Sequence, residues 1–159
     1  MTENSPLFHW SETVQPGWID DNGHMNVAYY VAVFDRAAEA FHASIGVDNA
    51  YRAAGRSTFA VEQHITYRRE VAAGAPLLCT VRLVGFDDKR LLLLIELSHA
   101  DEGTVAALCE LLCLHVDFVA RKASPFPAGL RARLGAVLAA HRAVPMAHKI
   151  GRAIAVPGG

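Results

Sequence analysis

Charge of one sign is what this 159-residue sequence has little of: 15 Lys and Arg stand against 16 Asp and Glu, for a formal net charge of −1. Such a chain has no overall field for a polyanion, so nucleic acid and anionic membrane surfaces are not its expected partners. Long apolar runs are missing too. "LLLLI", from Leu91 to Ile95, is a fraction of the roughly 20 residues that a membrane-crossing helix needs. The opening "MTENSPLFHW" has no basic stretch followed by an apolar core, so it does not read as an export signal. The three cysteines, an odd number, then imply reduced thiols and a cytoplasmic setting. Cys109 and Cys113 lie inside an apolar run, where cysteine packs as a small hydrophobe. There is no His-Glu-x-x-His, no paired-Cys motif and no Gly-rich phosphate loop. Neither a metal site nor nucleotide hydrolysis is therefore expected, and no cofactor is implied.

What is present is apolar mass: 52% hydrophobic against 19% charged residues. That balance suits one well-buried domain spanning residues 1–159, with some surface covered by another subunit. The patterning predicts one long helix in a run of strands. "FHWSETV" reads as a first strand, and a Pro-Gly turn signal opens the loop "QPGWIDDNGHM". From Val27, the apolar residues Val31, Phe34, Ala38, Phe41 and Ile45 recur at steps of three and four, one stripe of an amphipathic helix. Asn26 is its expected N-cap and Gly46 its stop.

"STFAVEQHITYRREV" alternates, with Phe59, Val61, Ile65 and Tyr67 on one face and Ala60, Glu62, His64, Thr66 and Arg68 on the other. Three more strand candidates follow, with the turn signals "GFDDK" and "HADEG" between them, and Pro127 to His141 reads as a terminal helix. This is an α+β plan in which an antiparallel sheet wraps one long central helix. The core is expected over about residues 8–120, and a C-terminal helical extension over 125–159.

The loop before the helix crowds Asp20, Asp21, Asn22, His24 and Asn26 into seven positions. Turn chemistry explains each one singly. Together they stand at a helix N-terminus, whose first N–H groups are unsatisfied, carry partial positive charge and can polarise a carbonyl or hold an oxyanion. A carboxylate four residues from an imidazole can supply a base or nucleophile beside an orienting group. On chemistry alone the turn and catalytic readings stand level.

"DDNGHMNVAYYVAVFDRA" resembles the signature of hot-dog-fold acyl-CoA thioesterases of the 4-hydroxybenzoyl-CoA thioesterase-like superfamily. "ITYRREVAAGAPLLCTVRLVGFDDKRLLLLIEL" is similar to the second region of that family, an aromatic-Arg strand followed by a long hairpin. The resemblance implies a hot-dog fold and hydrolysis of acyl-CoA. It also implies a homodimer or a tetramer of dimers, with sheets paired edge to edge and each site at the subunit boundary. By position, Asp20 matches the catalytic carboxylate, and Asn22 and His24 match polar companions known from the acyl-carrier-protein branch. Gly23, His24 and Met25, with Asn26, fall where helix-terminal N–H groups face the thioester carbonyl. Glu70 matches an acidic position of the acyl-carrier-protein branch, across a longer intervening segment. Hot-dog hydratases place the His one residue later after a Pro, and a non-catalytic acyl-CoA sensor would be expected to lose the carboxylate.

The chain as a whole, including the ending "GRAIAVP", looks most like the branch acting on betainyl-CoA. A trimethylammonium group is held by aromatic faces and a carboxylate, for which Trp18, Tyr29, Tyr30 and Glu62 are the candidates. The alternative is a neutral pocket for short or aromatic acyl chains, with Glu62 solvated. One of Tyr29 and Tyr30 is expected in the core. Arg68, Arg69, Lys89 and Arg90 are either a solvated strand end and turn or the holders of the CoA phosphates. His64 and His115 lie in strand patterns and read as packed or solvated side chains.

Overall fold

A computed structural model of the chain describes residues 5–154. Strand β1 (Phe8–Thr13) leads through a 3₁₀ turn at Pro16–Trp18 into helix α1 (Val27–Ser44), followed by a short helix α2 (Asn49–Ala53). Four long strands come next: β2 (Arg56–Tyr67), β3 (Pro76–Phe86), β4 (Arg90–His99) and β5 (Val105–Asp117). A two-residue strand β6 (Lys122–Ala123) and helix α3 (Ala128–Arg142) complete the order. The strands form one antiparallel sheet in the order β1-β3-β4-β5-β2, with β6 added to β5. Among the described residues, no helix is long and apolar enough to cross a membrane.

The sheet curls because one face must bury a helix. α1 presents Tyr30, Val33, Phe34, Ala37, Ala38 and Phe41 to the interior. Alternate residues of the strands meet them: Leu77, Cys79, Val81 and Leu83 of β3, Leu91, Leu93, Ile95 and Leu97 of β4, and Cys109, Leu111 and Cys113 of β5. This is the hot-dog arrangement of a sheet around a central helix. The thiols behave as the sequence implies: Cys109 and Cys113 are free and buried, and burial pushes them up to about 11 and about 12.

Four expectations need correction. Phe34, Ala38, Phe41 and Ile45 of the expected α1 stripe are buried. Val31, however, is 41% exposed because it points away from the sheet, and Tyr30 and Val33 take its place in the first turns. The alternation of β2 does not run through the strand, since a bulge between Ala60 and Glu62 inserts Val61 and changes phase. The C-terminal helix ends at Arg142 rather than continuing, and residues 143–154 are irregular; the rest of the expected extension, 155–159, lies outside the described residues. α2 and β6 were not anticipated, being too short to give a periodic signal.

His141 explains why α3 stops where it does. Its Nδ1 accepts the Leu83 N–H at 2.8 Å, and its Nε2 bonds the Pro6 carbonyl at 3.1 Å. Arg82 then donates to the His141, Val144 and Pro145 carbonyls, capping the helix end and turning the chain onto the outer face of the sheet.

Candidate active site

The segment from Trp18 to Asn26 is a small hairpin. Ile19 and Met25 form a bridge, flanked by Asp20 N–H to His24 C=O (3.0 Å) and Asn26 N–H to Trp18 C=O (2.9 Å). Asp21, Asn22 and Gly23 make its three-residue tip, closed by Gly23 N–H to Asp20 C=O at 2.9 Å. Gly23 has φ +83°, the left-handed position such a loop requires and glycine reaches without strain. Met25 N–H donates to the Val71 carbonyl at 2.8 Å, docking the hairpin onto the segment after β2.

This geometry sets the polar groups. One oxygen of Asp20, Oδ1, accepts the Asn22 N–H at 2.9 Å; Oδ2 has no hydrogen-bond partner among the described residues. A half-buried carboxylate with one oxygen anchored and one free is held in a fixed direction. His24 Nε2 lies 3.2 Å from Glu70 Oε2, so two groups 46 positions apart in the chain meet. Glu70 also accepts through its backbone carbonyl, paired with His99 Nε2 at 3.2 Å.

Helix α1 begins beside this hairpin. Asn26 caps it, with its side-chain oxygen accepting the Ala28 N–H at 2.9 Å. The amides expected to face an oxyanion divide on inspection. Gly23, Met25 and Asn26 already donate to the Asp20, Val71 and Trp18 carbonyls, because the hairpin needs those bonds to close and dock. Among the described residues, the His24 and Val27 N–H groups carry no acceptor. Val27, the first helical residue, was not singled out from the sequence; a residue directly after an N-cap is where an unused helix donor is found.

The remaining candidates fall in three groups. Trp18 stacks on Tyr29, with centroids 5.3 Å apart and planes at 11°, and the Arg36 guanidinium lies 5.2 Å from the Trp18 centroid. Glu12 holds Arg36 through two bonds of 3.2 and 2.8 Å. The indole therefore already carries a cation, which opposes its use as a wall for a second one. Tyr30 is 4% exposed, packs edge-on against Tyr67 at 5.1 Å, and reaches the Arg69 carbonyl with its hydroxyl at 3.5 Å; it belongs to the core. The bulge in β2 turns Ala60 toward the core beside Cys113. Glu62 lies on the outer face of the sheet, opposite the core-facing Gln63 and Ile65, as its alternation with Ile65 and Tyr67 implies. There it borders a groove with His64, Glu110 and the tail residues Gly151 and Arg152.

Arg68 and Arg69 stand at the hairpin end of the sheet, both donating backbone N–H groups to the Ala106 carbonyl. Lys89 and Arg90 do not join them within one chain. They sit in the β3–β4 turn, and β3 is 11 residues long, about 35 Å of strand. Arg90 is paired there with Asp87 at 2.5 Å. Among the described residues no cluster of His, Cys, Asp and Glu fits a metal ion. His115 is fully buried between the Tyr51 hydroxyl (2.6 Å) and Ser124, a packing role.

A curled sheet around a capped helix, with an anchored carboxylate at the helix entry, defines a class before it defines a protein. A sequence profile of the thioesterase-like superfamily matches residues 14–134, and the chain belongs to that superfamily. A betainyl-CoA thioesterase of Pseudomonas aeruginosa is 39% identical over 152 residues, covering 95% of this chain and 96% of its own. An L-carnitine dehydrogenase/betainyl-CoA thioesterase of Agrobacterium fabrum is 42% identical over 128 residues, which are 79% of this chain but 26% of that longer protein. A Staphylococcus aureus protein solved in complex with CoA superposes with a TM-score of 0.88 at 28% identity, covering 95% of this chain and 96% of that one. A 1,4-dihydroxy-2-naphthoyl-CoA thioesterase from Synechocystis shares the fold alone, with a TM-score of 0.71 at 17% identity over 81% of this chain and 96% of that one.

Proposed function

We propose that this protein hydrolyses an acyl-CoA thioester through Asp20, and that its substrate is betainyl-CoA. The observation that carries the hydrolytic reading is the anchored Asp20 carboxylate in a hairpin whose neighbouring His24 and Val27 amides have no acceptor among the described residues. A thioester is already an activated acyl donor, because sulfur overlaps poorly with the carbonyl. It needs a carboxylate to attack or to deprotonate water, and donors for the oxyanion. Asp20 supplies the first, through Oδ2, while the start of α1 supplies the second with its dipole aligned. His24, steered by Glu70, is the group that relays a proton to or from the reacting atoms. Arg68 and Arg69 are the cations at the same end of the sheet for the CoA phosphates.

The acyl group comes from the relatives: two proteins that share 39% and 42% identity with this chain carry betainyl-CoA thioesterase in their names. The functional unit is a pair of chains. β2 is the free edge of the sheet, and it exposes Phe59 (50%), Val61 (52%) and Tyr67 (47%). An apolar edge strand of this length invites a second copy, and a two-fold axis that keeps both helices on one side runs the two β2 strands antiparallel.

The test is a panel of acyl-CoA thioesters assayed by release of free CoA, with betainyl-CoA set against its neutral isostere 3,3-dimethylbutyryl-CoA. Betainyl-CoA should have the highest kcat/KM of the panel. Equal turnover of the isostere would end the betainyl reading, and no turnover of any thioester would end the hydrolytic one. Light scattering should give at least a dimer; an active monomer at micromolar concentration would rule out the paired unit.

A further inference from the structure

Arg68 is held in place without being neutralised. Arg36, Arg52, Arg90 and Arg131 each end on a carboxylate. Among the described residues Arg68 makes no ion pair, and its guanidinium makes one bond, from Nη1 to Nδ1 of His148 at 3.4 Å. His148 belongs to the segment after α3, 80 positions further along the chain. Its other ring nitrogen, Nε2, reaches Oε2 of Glu96 in β4 at 2.5 Å. A guanidinium only donates and an ionised carboxylate only accepts. One neutral tautomer of the imidazole, with its proton on Nε2 and its lone pair on Nδ1, therefore satisfies both bonds.

The segment that brings His148 there is fastened across the outer face of the sheet. Arg82 of β3 donates to the His141, Val144 and Pro145 carbonyls at 2.6, 2.8 and 3.0 Å. Glu96 of β4 takes His148, and Glu110 of β5 accepts the Gly151 N–H at 2.6 Å. Three adjacent strands thus each give the segment one charged side chain, and it crosses them in order. Leu94, on this outer face, is 5% exposed and borders Val144, Met146 and His148, so apolar burial also fixes the crossing.

We propose that the segment from Val144 to Gly151 is a strap that preorganises Arg68 to bind a phosphate of CoA, with His148 as the positioning residue. The inference rests on the reading of Arg68 as a holder of the CoA phosphates and deepens it. A loose arginine at a strand end samples many rotamers and loses that freedom when a phosphate orders it. With Nη1 already on His148, most of that ordering is done in folding. Nε and Nη2, which have no partner among the described residues, keep their N–H donors for phosphate oxygens. A neutral anchor also leaves the positive charge to the ligand, where a direct pair with Glu96 would cancel it. Arg68 stands two residues before Glu70, whose carboxylate meets His24 of the Asp20 hairpin, so the held cation and the reacting group share one end of the sheet.

The experiment measures the Kd of CoA by titration calorimetry for wild type, Arg68→Gln, His148→Leu, His148→Gln, Glu96→Ala and the double variant Arg68→Gln with His148→Leu. Thermal melts verify that each is folded. Arg68→Gln should weaken CoA about tenfold, the loss of one charge-assisted contact. His148→Leu should weaken it about fivefold, the cost of ordering one long side chain. Glu96→Ala, which frees the ring from its other side, should act in the same direction. His148→Gln, whose amide offers one donor and one acceptor, should recover most of the loss. In the Arg68→Gln background, His148→Leu should add nothing, because its effect passes through Arg68. A wild type that binds no CoA, or an Arg68→Gln variant that binds it equally well, overturns the phosphate reading and this inference together. A loss in Arg68→Gln that neither His148→Leu nor Glu96→Ala shares overturns this inference alone. So does a His148→Leu loss that persists in full without Arg68, or that His148→Gln fails to recover, since a strap that only supports the sheet would give either result.

Discussion

The two ends of α1 are built in opposite ways. At its start, the groups that matter are tied down before any ligand arrives: Asp20 by the Asn22 amide, the hairpin by four backbone bonds, and Trp18 by Tyr29 and Arg36. Nearly all of those partners lie between residues 18 and 36. At its far half, among the described residues, Asp35 is in no ion pair, His42 Nε2 has no hydrogen-bond partner, and Phe59 and Phe118 stand half exposed. Those groups come from α1, β2 and the end of β5, as many as 83 positions apart. The first end is preorganised for a charge that develops during reaction, which costs little reorganisation. The second is left unsatisfied, as a site for a ligand or a second subunit is. Variants at the first end therefore test chemistry, and variants at the second test stability.

Asp20→Asn is the largest expected effect. The amide can still accept the Asn22 N–H, so the hairpin and the melting temperature should hold, while turnover falls about a thousandfold or more because the amide neither attacks nor takes a proton. Steady-state CoA release, run beside a thermal melt, reads both halves of this statement. Hydrolysis within tenfold of wild type would remove Asp20 from the mechanism.

The far end should report itself through acid. His42 is held down to about 4, first by burial and then by Arg52, and burial also lowers His141. A base with a depressed folded pKa stabilises the fold fully above its unfolded pKa and loses that contribution as pH falls through the window between the two. For His42 that window runs from 6.5 down to about 4, above the range in which the lowered carboxylates Asp87 and Asp117 titrate. Across it the protein should lose about 3 kcal/mol from this one residue. His42→Leu should flatten the slope of urea-unfolding stability between pH 6.5 and 4. A slope unchanged by the substitution would mean that His42 is not desolvated.

The hairpin end was legible because its contacts are local. Asp20, Gly23, His24 and Asn26 sit in one loop, and a helix signal follows directly, so spacing alone suggested an N-cap and a turn. Which amides remain free was not legible. It depends on Gly23 closing the turn and on Met25 reaching Val71, a contact 46 residues away. Phe59 misled for a similar reason: one inserted residue at Val61 turns Ala60 to the core and Phe59 outward while Glu62 keeps its expected face, and no periodic pattern shows where a bulge will fall. The far cluster left no sequence signal. Phe59 and Phe118 read as ordinary strand residues until the β2–β5 pairing brings them to 5.6 Å.

The His24–Glu70 pair tests how much the hairpin depends on its one long-range partner. Both side chains are well exposed, at 41% and 73%, so the ion pair should add little to stability. Its value lies in fixing the ring. Glu70→Gln should leave the melt within error while lowering kcat about tenfold on the cationic and neutral thioesters alike. Unequal losses on the two would mean that Glu70 senses the headgroup, which would make it part of substrate recognition as well.

The smallest expected effect is at the helix cap. Asn26 does three things: its side chain accepts the Ala28 N–H, its own N–H closes the hairpin onto Trp18, and its carbonyl accepts the Tyr29 N–H. Only the first depends on the side chain, so Asn26→Ala should cost about 1 kcal/mol, a drop of about 3 °C in the melt. Asn26→Asp keeps the cap and adds a charge that favours the helix dipole, so its stability should match or exceed wild type. The same charge stands beside the Val27 amide where an oxyanion would form, so turnover by Asn26→Asp should fall although the protein is more stable. Stability and activity moving in opposite directions would mark the start of α1 as an electrostatic element of the reaction. Parallel movement in both variants would reduce it to a structural cap, and the donors for the oxyanion would have to come from elsewhere.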